Sequence, residues 1–231
     1  MQVELVDHMG TDLSVVNAAR VSFAKESKEF SSNDERLINY LAREKHVLPF
    51  RHPQITLRCK APIFLARQLG KHQVGLSWSE ESRRYIDSEP EFFWPDKWRK
   101  RAENVKQGSS NEEVELDDYL SIGGEKLGLE KVKFVGLGSL RDEIANTHNK
   151  SLRLYNNLLE VGVAPELARM ILPQNMYVNW VWTGSLLSFF EMYKLRSEAH
   201  AQLEAQDFAA EIKRVIHPLY PVSWKALEEN S

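Results

Sequence analysis

A nineteen-residue segment at positions 67–85, RQLGKHQVGLSWSEESRRY, gathers side chains of the kind that bind phosphate. Its charged members include Arg67, Lys71, His72, Arg83, Arg84 and Glu80, and two glycines and three serines lie among them. Phosphate oxygens accept several hydrogen bonds at once, and cations, hydroxyls and flexible backbone N–H groups supply them together. The same composition also fits a solvated basic loop at a helix end, so this segment alone leaves both interpretations open.

Two further arginines lie in apolar surroundings. Arg196 and His200 are four residues apart, which predicts that they share one face of a helix. An arginine near an apolar face either pairs with an acid or holds a ligand. The acids available to Arg196 are Glu191, Glu198 and Glu204. Arg169, within ELARMILP, poses the same choice, with Glu166 as a candidate partner.

Histidine and cysteine spacing does not indicate a metal site. His46 and His52 are six residues apart, which is not a helical repeat, and no neighbouring Cys or Asp completes a ligand set. The single cysteine, Cys59, lies at the apolar phase of a predicted strand with no adjacent base. We therefore expect no metal, no internal disulfide, a core role for Cys59 and a reducing compartment.

The chain that must position these groups has 231 residues, 42% of them hydrophobic and 27% charged, which is typical of one folded domain. A formal net charge of −3 argues against nucleic-acid coating or adhesion to a membrane surface. Neither a basic leader with an apolar core nor an apolar run of membrane-spanning length is visible, so we expect a cytoplasmic protein.

Apolar periodicity predicts a mixture of strands and helices in the first third of the chain. We predict a strand at 3–6, a helix or turn at 13–22, a helix from Asn33 capped by Asn33 or Asp34, a half-buried strand at 55–62, and a helix after Pro62. The Gly- and Ser-containing segment at 71–85 is predicted to be a loop.

The remainder of the chain is predicted to be mainly helical. We predict a variable excursion at 87–140, a helix from Leu140 to Gly162, and a short helix from Pro165. The segment 177–193, YVNWVWTGSLLSFFEMY, is apolar nearly all round and predicts a buried helix. The reading is one helix-rich domain of mixed α and β structure.

The aromatic side chains of the stretch at 91–103, EFFWPDKWRKRAE, could stack on the bases of a single-stranded nucleic acid, and its basic side chains could bind the phosphates. The acidic run at 112–118 and the net charge argue against this interpretation.

Six blocks of this sequence resemble the flavin-dependent thymidylate synthases, the ThyX family, and occur in the family's order. They are AARVSF at 18–23, HVLPFRH at 46–52, KAPIFLARQ at 60–68, SEESRRY at 79–85, ELARMILPQNMY at 166–177 and LRSEAHAQ at 195–202. The resemblance implies an α+β fold with a central antiparallel sheet and long core helices in a single domain, 1–231, assembled as a homotetramer. It also implies methylation of dUMP to dTMP with FAD, methylenetetrahydrofolate and NADPH, without nucleic acid or membrane partners.

The same resemblance implies roles for individual residues. The dUMP-binding positions are Gln68, Lys71, Glu80, Glu81, Ser82, Arg83, Arg84, Arg169 and Arg196, with Arg169 reaching in from another subunit and Arg196 acting on the uracil ring as the catalytic residue. The FAD-binding positions are Ser22, His46, Lys71, His72, Gln73, Val74, Ser79, Ser185, Glu191, Leu195 and His200.

This chain departs from the family pattern mainly on the FAD side. Lys71-His72-Gln73 stands where Arg-His-Arg is usual, and its spacer to Ser82 is one residue longer, so His72-Gln73-Val74 is an alternative alignment. Other departures are Ser79 for Asn, Arg51 for Glu, and Ser185 and Leu187 for Asn and Arg. We therefore expect intact dUMP recognition with more loosely held FAD. The alternative is a nucleotide-binding homologue that has weakened or lost flavin catalysis.

Overall fold

The computed structural model describes residues 1–86, 88–103, 108–118, 120–122 and 135–231. The chain forms two compact units: the first comprises Met1–Glu80 and Val178–Ser231, and the second comprises Glu81–Tyr177. The single domain at 1–231 stays a prediction. The described part of the excursion predicted at 87–140 lies in the second unit, and the glycines at 123 and 124 lie outside the described residues.

The first unit is built on a four-stranded sheet in the order β1-β2-β8-β3. Its strands are β1 Gln2–Met9, β2 Gln54–Pro62, β3 Leu76–Glu80 and β8 Tyr177–Ser185. The pairs β1–β2 and β3–β8 are antiparallel. The hydroxyls of Thr56 and Thr183 lie 3.0 Å apart and link β2 with β8. The mixed α and β class with an antiparallel sheet is thus confirmed.

Strand β2 confirms the predicted alternation. Ile55, Leu57 and Cys59 are fully buried, whereas Arg58 between them is exposed. Burial raises the pKa of the Cys59 thiol, which keeps the sulfur protonated and unreactive. Each aliphatic side chain buried in this way contributes about 1.5–3 kcal/mol. Cys59 is therefore a core residue, as its spacing predicted.

Two segments form strands where we predicted other structure. The stretch from Tyr177 begins as strand β8 and becomes helical only at Leu186, so the single buried helix at 177–193 was wrong. Val178, Trp180 and Trp182 alternate inward, and such β-branched and aromatic residues suit a pleated, buried surface. The predicted loop at 71–85 contains strand β3, because residues 76–80 pair with β8.

The helices of the first unit pack around this sheet. They are α1 Asp12–Arg20, α2 Ser32–Arg43, α3 Ile63–Leu69, α6 Leu186–Arg196, α7 Leu203–Ile216 and α8 Pro221–Glu229, with 3₁₀ turns at Val21–Phe23, Leu48–Arg51 and His217–Leu219. Helix α2 is capped by Ser31, so the predicted cap at Asn33 or Asp34 was wrong. Asp34 instead accepts from the Ser31 backbone N–H at 2.9 Å and completes a capping box.

Within its described residues, the second unit contains two antiparallel strand pairs and one long helix. Its elements are β4 Arg99–Arg101, β5 Ser109–Glu113, β6 Leu120–Ile122, β7 Val135–Ser139, α4 Leu140–Glu160 and α5 Pro165–Ala168, with 3₁₀ turns at Leu116–Asp118 and Arg169–Ile171. Helix α4 and the start of α5 at Pro165 confirm the predictions. No helix in the described ranges has the length and apolar character needed to span a bilayer.

Gly75, between α3 and β3, holds the chain close to helix α6. Its φ is +69°, and a Cβ there would lie 2.3 Å from Ser188 Oγ. Gly162 has a similar φ of +85°, yet a Cβ there would meet nothing within 4 Å. Both Gly75→Ala and Gly162→Ala should lower the free energy of unfolding by about 1–2 kcal/mol, because alanine is strained in the left-handed conformation. Urea denaturation should show a measurably larger loss of stability for Gly75→Ala, because the added Cβ would also collide with Ser188. An equal loss in the two variants would contradict the close approach of residue 75 to Ser188.

Candidate active site

A cavity of about 410 Å³ opens in the first unit between the residues after α3 and helix α6. It is lined by Lys71, His72, Gln73, Val74, Leu76, Ser188, Glu191, Lys194, Leu195 and Glu198. This volume lies within the range of small-molecule sites, and the lining mixes cations, carboxylates and apolar groups. Both possible alignments of the Lys71–Val74 segment place their residues in this one cavity.

The lining agrees with much of the predicted FAD set. Lys71, His72, Gln73, Val74, Glu191 and Leu195 were all predicted from the resemblance and are brought together here. Sequence reasoning missed Leu76, Ser188, Lys194 and Glu198 as lining residues. The helical spacing of Ser188, Glu191 and Lys194 on α6 is a signal that could have found part of this wall.

Arg196 and His72 form the polar end of this region. The Arg196 Nε–H donates to His72 Nε2 at 3.0 Å, and Arg196 Nη2 donates to the Gln68 carbonyl oxygen at 3.2 Å. Burial and the Arg196 charge lower the pKa of His72, and burial also lowers the pKa of Arg196. Arg196 therefore binds the residues around the cavity, and none of its acidic candidate partners among the described residues forms an ion pair with it.

Gln68 is tied to the segment that follows α6. Its side-chain amide donates to Gln202 Oε1, and the Gln202 amide donates to Glu204 Oε2 at 2.8 Å. Both the side chain and the backbone of Gln68 are therefore held by hydrogen bonds: the side chain by Gln202 and the backbone carbonyl oxygen by Arg196. Gln68 is thus connected to Arg196 in the structure, and its predicted contact with the nucleotide phosphate stays a prediction.

His200 does not share a helix face with Arg196. Helix α6 ends at Arg196, where the Ser197 backbone N–H closes the last turn on the Tyr193 carbonyl oxygen at 2.8 Å. The chain then turns, and α7 packs against α6. His200 is exposed in that turn and is absent from the cavity lining, so the predicted shared face was wrong.

Ser82, Arg84 and Arg169 come together in the second unit and form what we call the phosphate cluster. Arg84 Nε donates to Ser82 Oγ at 3.1 Å, and Arg169 Nη1 donates to the same oxygen at 3.4 Å. The Tyr85 N–H donates to the Ser82 carbonyl at 2.9 Å and closes the turn that carries these side chains. Arg169 makes this contact from the same chain, whereas we had expected it from another subunit.

The phosphate cluster carries two positive charges that are not neutralised locally. Within the described parts of the chain, neither Arg84 nor Arg169 pairs with a carboxylate. The Arg84 guanidinium lies over the Tyr85 ring, 4.9 Å from its centre. Arg83, by contrast, donates to the Ser88 carbonyl oxygen. Two guanidinium groups that converge on one hydroxyl form a receptor for an oxyanion.

The remaining predicted residues are not among the lining of the cavity. Ser79 and Glu80 are exposed at the end of β3, and Glu80 Oε2 accepts from Trp78 Nε1 at 3.1 Å. Glu81 is the first residue of the second unit. The ring centres of His46 and Tyr40 lie 6.1 Å apart. Among the described residues, no group of three or more His, Cys, Asp or Glu gathers as metal ligands do.

Ser185 has a structural role in the first unit. Its hydroxyl accepts from the Ser188 N–H at 3.2 Å and caps α6, and it also lies 2.8 Å from Ser188 Oγ. Because Ser185 is buried and engaged in this way, Ser188 presents the cavity surface in its place.

The 3₁₀ turn that carries Ser22 is anchored by a buried polar network. The side chain of Asn17 donates to the Ser27 carbonyl at 2.9 Å and accepts from the Ser27 N–H at 2.8 Å. Asp34, 1% exposed, accepts from Arg20 at 2.6 Å and from Ser27 Oγ at 3.0 Å. The network thus holds both sides of the turn.

We expect Asp34→Ala to lower the free energy of unfolding at neutral pH by about 3 kcal/mol, because it leaves Arg20 and two serines without their acceptor. Burial raises the pKa of Asp34. Hydrogen bonds from Ser31 and Ser27 and the Arg20 charge lower this pKa by more than burial raises it, so the net shift is downward. The stabilisation is therefore present above about pH 4 and is lost as the pH falls below it. Urea denaturation should show the wild-type advantage shrinking in acid; a pH-independent difference would contradict this account.

The first unit thus combines an antiparallel sheet with a cavity of ligand size, and the second unit brings two arginines together on one serine. Residues 4–222 match the family model described as thymidylate synthase complementing protein. The chain belongs to this family, that of the flavin-dependent thymidylate synthases.

Individual relatives agree with this assignment. The chain is 36% identical over 224 residues to a flavin-dependent thymidylate synthase of Thermosipho africanus, covering 97% of this chain and 89% of the relative. It is 36% identical over 228 residues to that of Thermus thermophilus, covering 99% and 76%. Among solved structures it is similar to the UMP/dUMP methylase PolB from Streptomyces cacaoi bound with 5-Br dUMP, with a TM-score of 0.74, 30% identity, and coverage of 99% and 94%.

Proposed function

We propose that this chain converts dUMP to dTMP by reductive methylation, using FAD, methylenetetrahydrofolate as the one-carbon donor and NADPH as the reductant. Family membership over residues 4–222 is the observation that carries the proposal. The similarity to a methylase solved with a brominated dUMP supports the choice of nucleotide. Two arginines that converge on Ser82 and a cavity of about 410 Å³ in the first unit support the proposal.

The phosphate cluster binds the dUMP phosphate. Arg84 and Arg169 donate charge-assisted hydrogen bonds to the phosphate oxygens, and Ser82 adds a hydroxyl. Each hydrogen bond to a charged group is worth about 1.5–3 kcal/mol. By resemblance alone, further candidates for contacts with the nucleotide are Gln68, Lys71, Glu80, Glu81 and Arg83.

The cavity in the first unit holds FAD. Its residues fit this group: Lys71 and Lys194 are cations for phosphates, Val74, Leu76 and Leu195 are apolar surfaces for a ring, and His72 is a polar contact. Ser22, His46, Ser79, Ser185 and His200 remain family-based candidates for further contacts. When bound and reduced, the flavin supplies a hydride to the uracil ring, so no cysteine nucleophile is needed.

Arg196 is the proposed catalytic residue on the protein side. Its Nε and one Nη2 proton are used by His72 and Gln68, which leaves Nη1 free to donate to a uracil carbonyl. A fixed guanidinium there stabilises negative charge as it develops on the ring. The two internal hydrogen bonds orient the group before the substrate arrives, which is the condition for efficient electrostatic stabilisation.

The protein assembles as a cytoplasmic homotetramer in this proposal. Large apolar side chains of the first unit are exposed: Val21 is 74%, Phe23 75% and Leu48 65% accessible. Exposed apolar residues of this size favour contact with other protein copies. Light scattering on the purified protein should give about four times the 26.7 kDa chain mass, and a monomer would contradict the tetramer.

Formation of dTMP tests the proposed function directly. Purified protein supplied with FAD, NADPH, methylenetetrahydrofolate and dUMP should yield dTMP by chromatography, and omission of FAD should abolish the yield. UMP in place of dUMP provides a comparison, since the structural relative is described as acting on both. Tight dUMP binding without dTMP formation would instead support the alternative of a nucleotide-binding homologue.

A further inference from the structure

The hydrogen bond between Arg196 and His72 specifies where the imidazole proton lies. Arg196 Nε is 3.0 Å from His72 Nε2. A guanidinium has donors only and does not lose its proton in proteins, so His72 Nε2 must be the acceptor. A nitrogen that accepts cannot carry a proton. His72 is therefore neutral, and its proton lies on Nδ1.

The surroundings support this protonation state. The second hydrogen bond of Arg196, to the Gln68 carbonyl oxygen, ties the guanidinium to the end of α3 just before His72. Half-burial and the adjacent positive charge both disfavour an imidazolium. The other charged groups of the cavity are two lysines and two glutamates, Lys71, Lys194, Glu191 and Glu198, whose formal charges cancel. In the described part of the chain, none of these four forms an ion pair or hydrogen bond with His72.

We propose that Arg196 is a positioning residue for His72, holding the imidazole as its neutral Nδ1–H tautomer so that His72 donates to an uncharged acceptor on the ring of the cavity ligand. A phosphate at this position would favour an imidazolium, which could not accept the hydrogen bond from Arg196. A ring carbonyl oxygen or ring nitrogen needs only a neutral donor. The identification of that ring as a flavin rests on the proposed function; the tautomer does not.

Nitrogen NMR of the full chain, with ¹⁵N-labelled histidine, tests the tautomer. We would record spectra from pH 5.5 to 8 before and after addition of FAD and assign His72 by its absence from the His72→Gln variant. The expected result is an unprotonated Nε2 and a protonated Nδ1. A proton on Nε2 in the wild type would overturn the proposal without reference to enzyme activity or to the folding of any Arg196 variant.

Two variants test the role of Arg196 as the positioning group. In Arg196→Met nothing holds the His72 proton on Nδ1, so the Nε2–H tautomer should become populated. Lys194→Met is the matched control, because it removes a cation from the same cavity and leaves the hydrogen bond between Arg196 and His72 in place. It should retain the wild-type tautomer. Identical spectra for the wild type and Arg196→Met would contradict the positioning role.

Binding of riboflavin, which lacks phosphate, tests the ring acceptor. At pH 8, Arg196→Met should bind riboflavin about three- to tenfold more weakly than the wild type, which corresponds to one neutral hydrogen bond. Acidification to pH 5.5 should restore binding in this variant, because an imidazolium carries protons on both nitrogens. The affinity of the wild type for riboflavin should not change between pH 5.5 and pH 8. Absence of riboflavin binding by the wild type, or a flat profile for Arg196→Met, would overturn the assignment of the ring to this position.

Discussion

Replacing Arg84 by alanine is expected to weaken dUMP binding about 10- to 100-fold. Arg84 Nε lies 3.1 Å from Ser82 Oγ, where Arg169 also converges, and Arg84 lacks a carboxylate partner among the described residues. Loss of a charge-assisted hydrogen bond to phosphate costs about 1.5–3 kcal/mol. Each 1.4 kcal/mol is a factor of ten in the dissociation constant. Isothermal titration of dUMP into the Arg84→Ala variant measures the loss.

Arg141→Ala provides the matched control for Arg84→Ala. Arg141 belongs to the same unit and is exposed, but its guanidinium is paired with Asp117 at 3.0 Å. An exposed ion pair of this kind contributes little stability. Arg141→Ala should therefore bind dUMP as the wild type does. Wild-type affinity in Arg84→Ala would contradict the phosphate role, and weakening in both variants would indicate a general charge effect.

The second large effect is expected for Arg196→Ala, which should reduce kcat about 10²- to 10³-fold. The variant removes the preorganised donor for the uracil ring and also releases His72 and the Gln68 carbonyl from their hydrogen bonds. Binding of dUMP should suffer less than turnover, because the phosphate cluster remains. Steady-state kinetics and a thermal melt of the same preparation separate the two effects.

The control for Arg196→Ala is Lys194→Ala, two residues earlier on α6. Lys194 lines the same cavity, and in the described residues no hydrogen bond joins it to His72. Its loss should affect FAD affinity more than kcat, because we assign it to phosphate attraction. If Arg196→Ala instead unfolds at a much lower temperature with kcat preserved in the folded fraction, Arg196 is a structural residue and the catalytic assignment fails.

Local sequence patterns predicted elements whose environment is local. Strand β2 and helix α4 were predicted because alternation and a 3.6-residue period each report one buried face. Strand β8 was predicted as helix because apolar residues occupy both of its faces in the sequence, although only one face is buried: Trp180 and Trp182 are buried, whereas Val181 between them is exposed. Its role became visible only through pairing with β3, which is distant in the sequence.

The candidate site shows the same limit. The Lys71–Val74 segment was recognised by its composition and by its family resemblance, but its contact with Arg196 joins residues 124 positions apart. The convergence of Arg169 and Ser82 spans 87 positions. No periodicity reports such contacts, which depend on how the chain folds back. His200 was misplaced because a spacing of four residues has helical meaning only where the helix continues.

Single-turnover chemistry under anaerobic conditions tests the central claim most directly. Enzyme with its FAD reduced in advance would be mixed with dUMP and methylenetetrahydrofolate, without NADPH. The account predicts that the flavin is oxidised once and that one dTMP forms per flavin, because the reduced flavin supplies the two electrons that turn a methylene group into a methyl group. Bound dUMP with the flavin still reduced and no dTMP formed would contradict it.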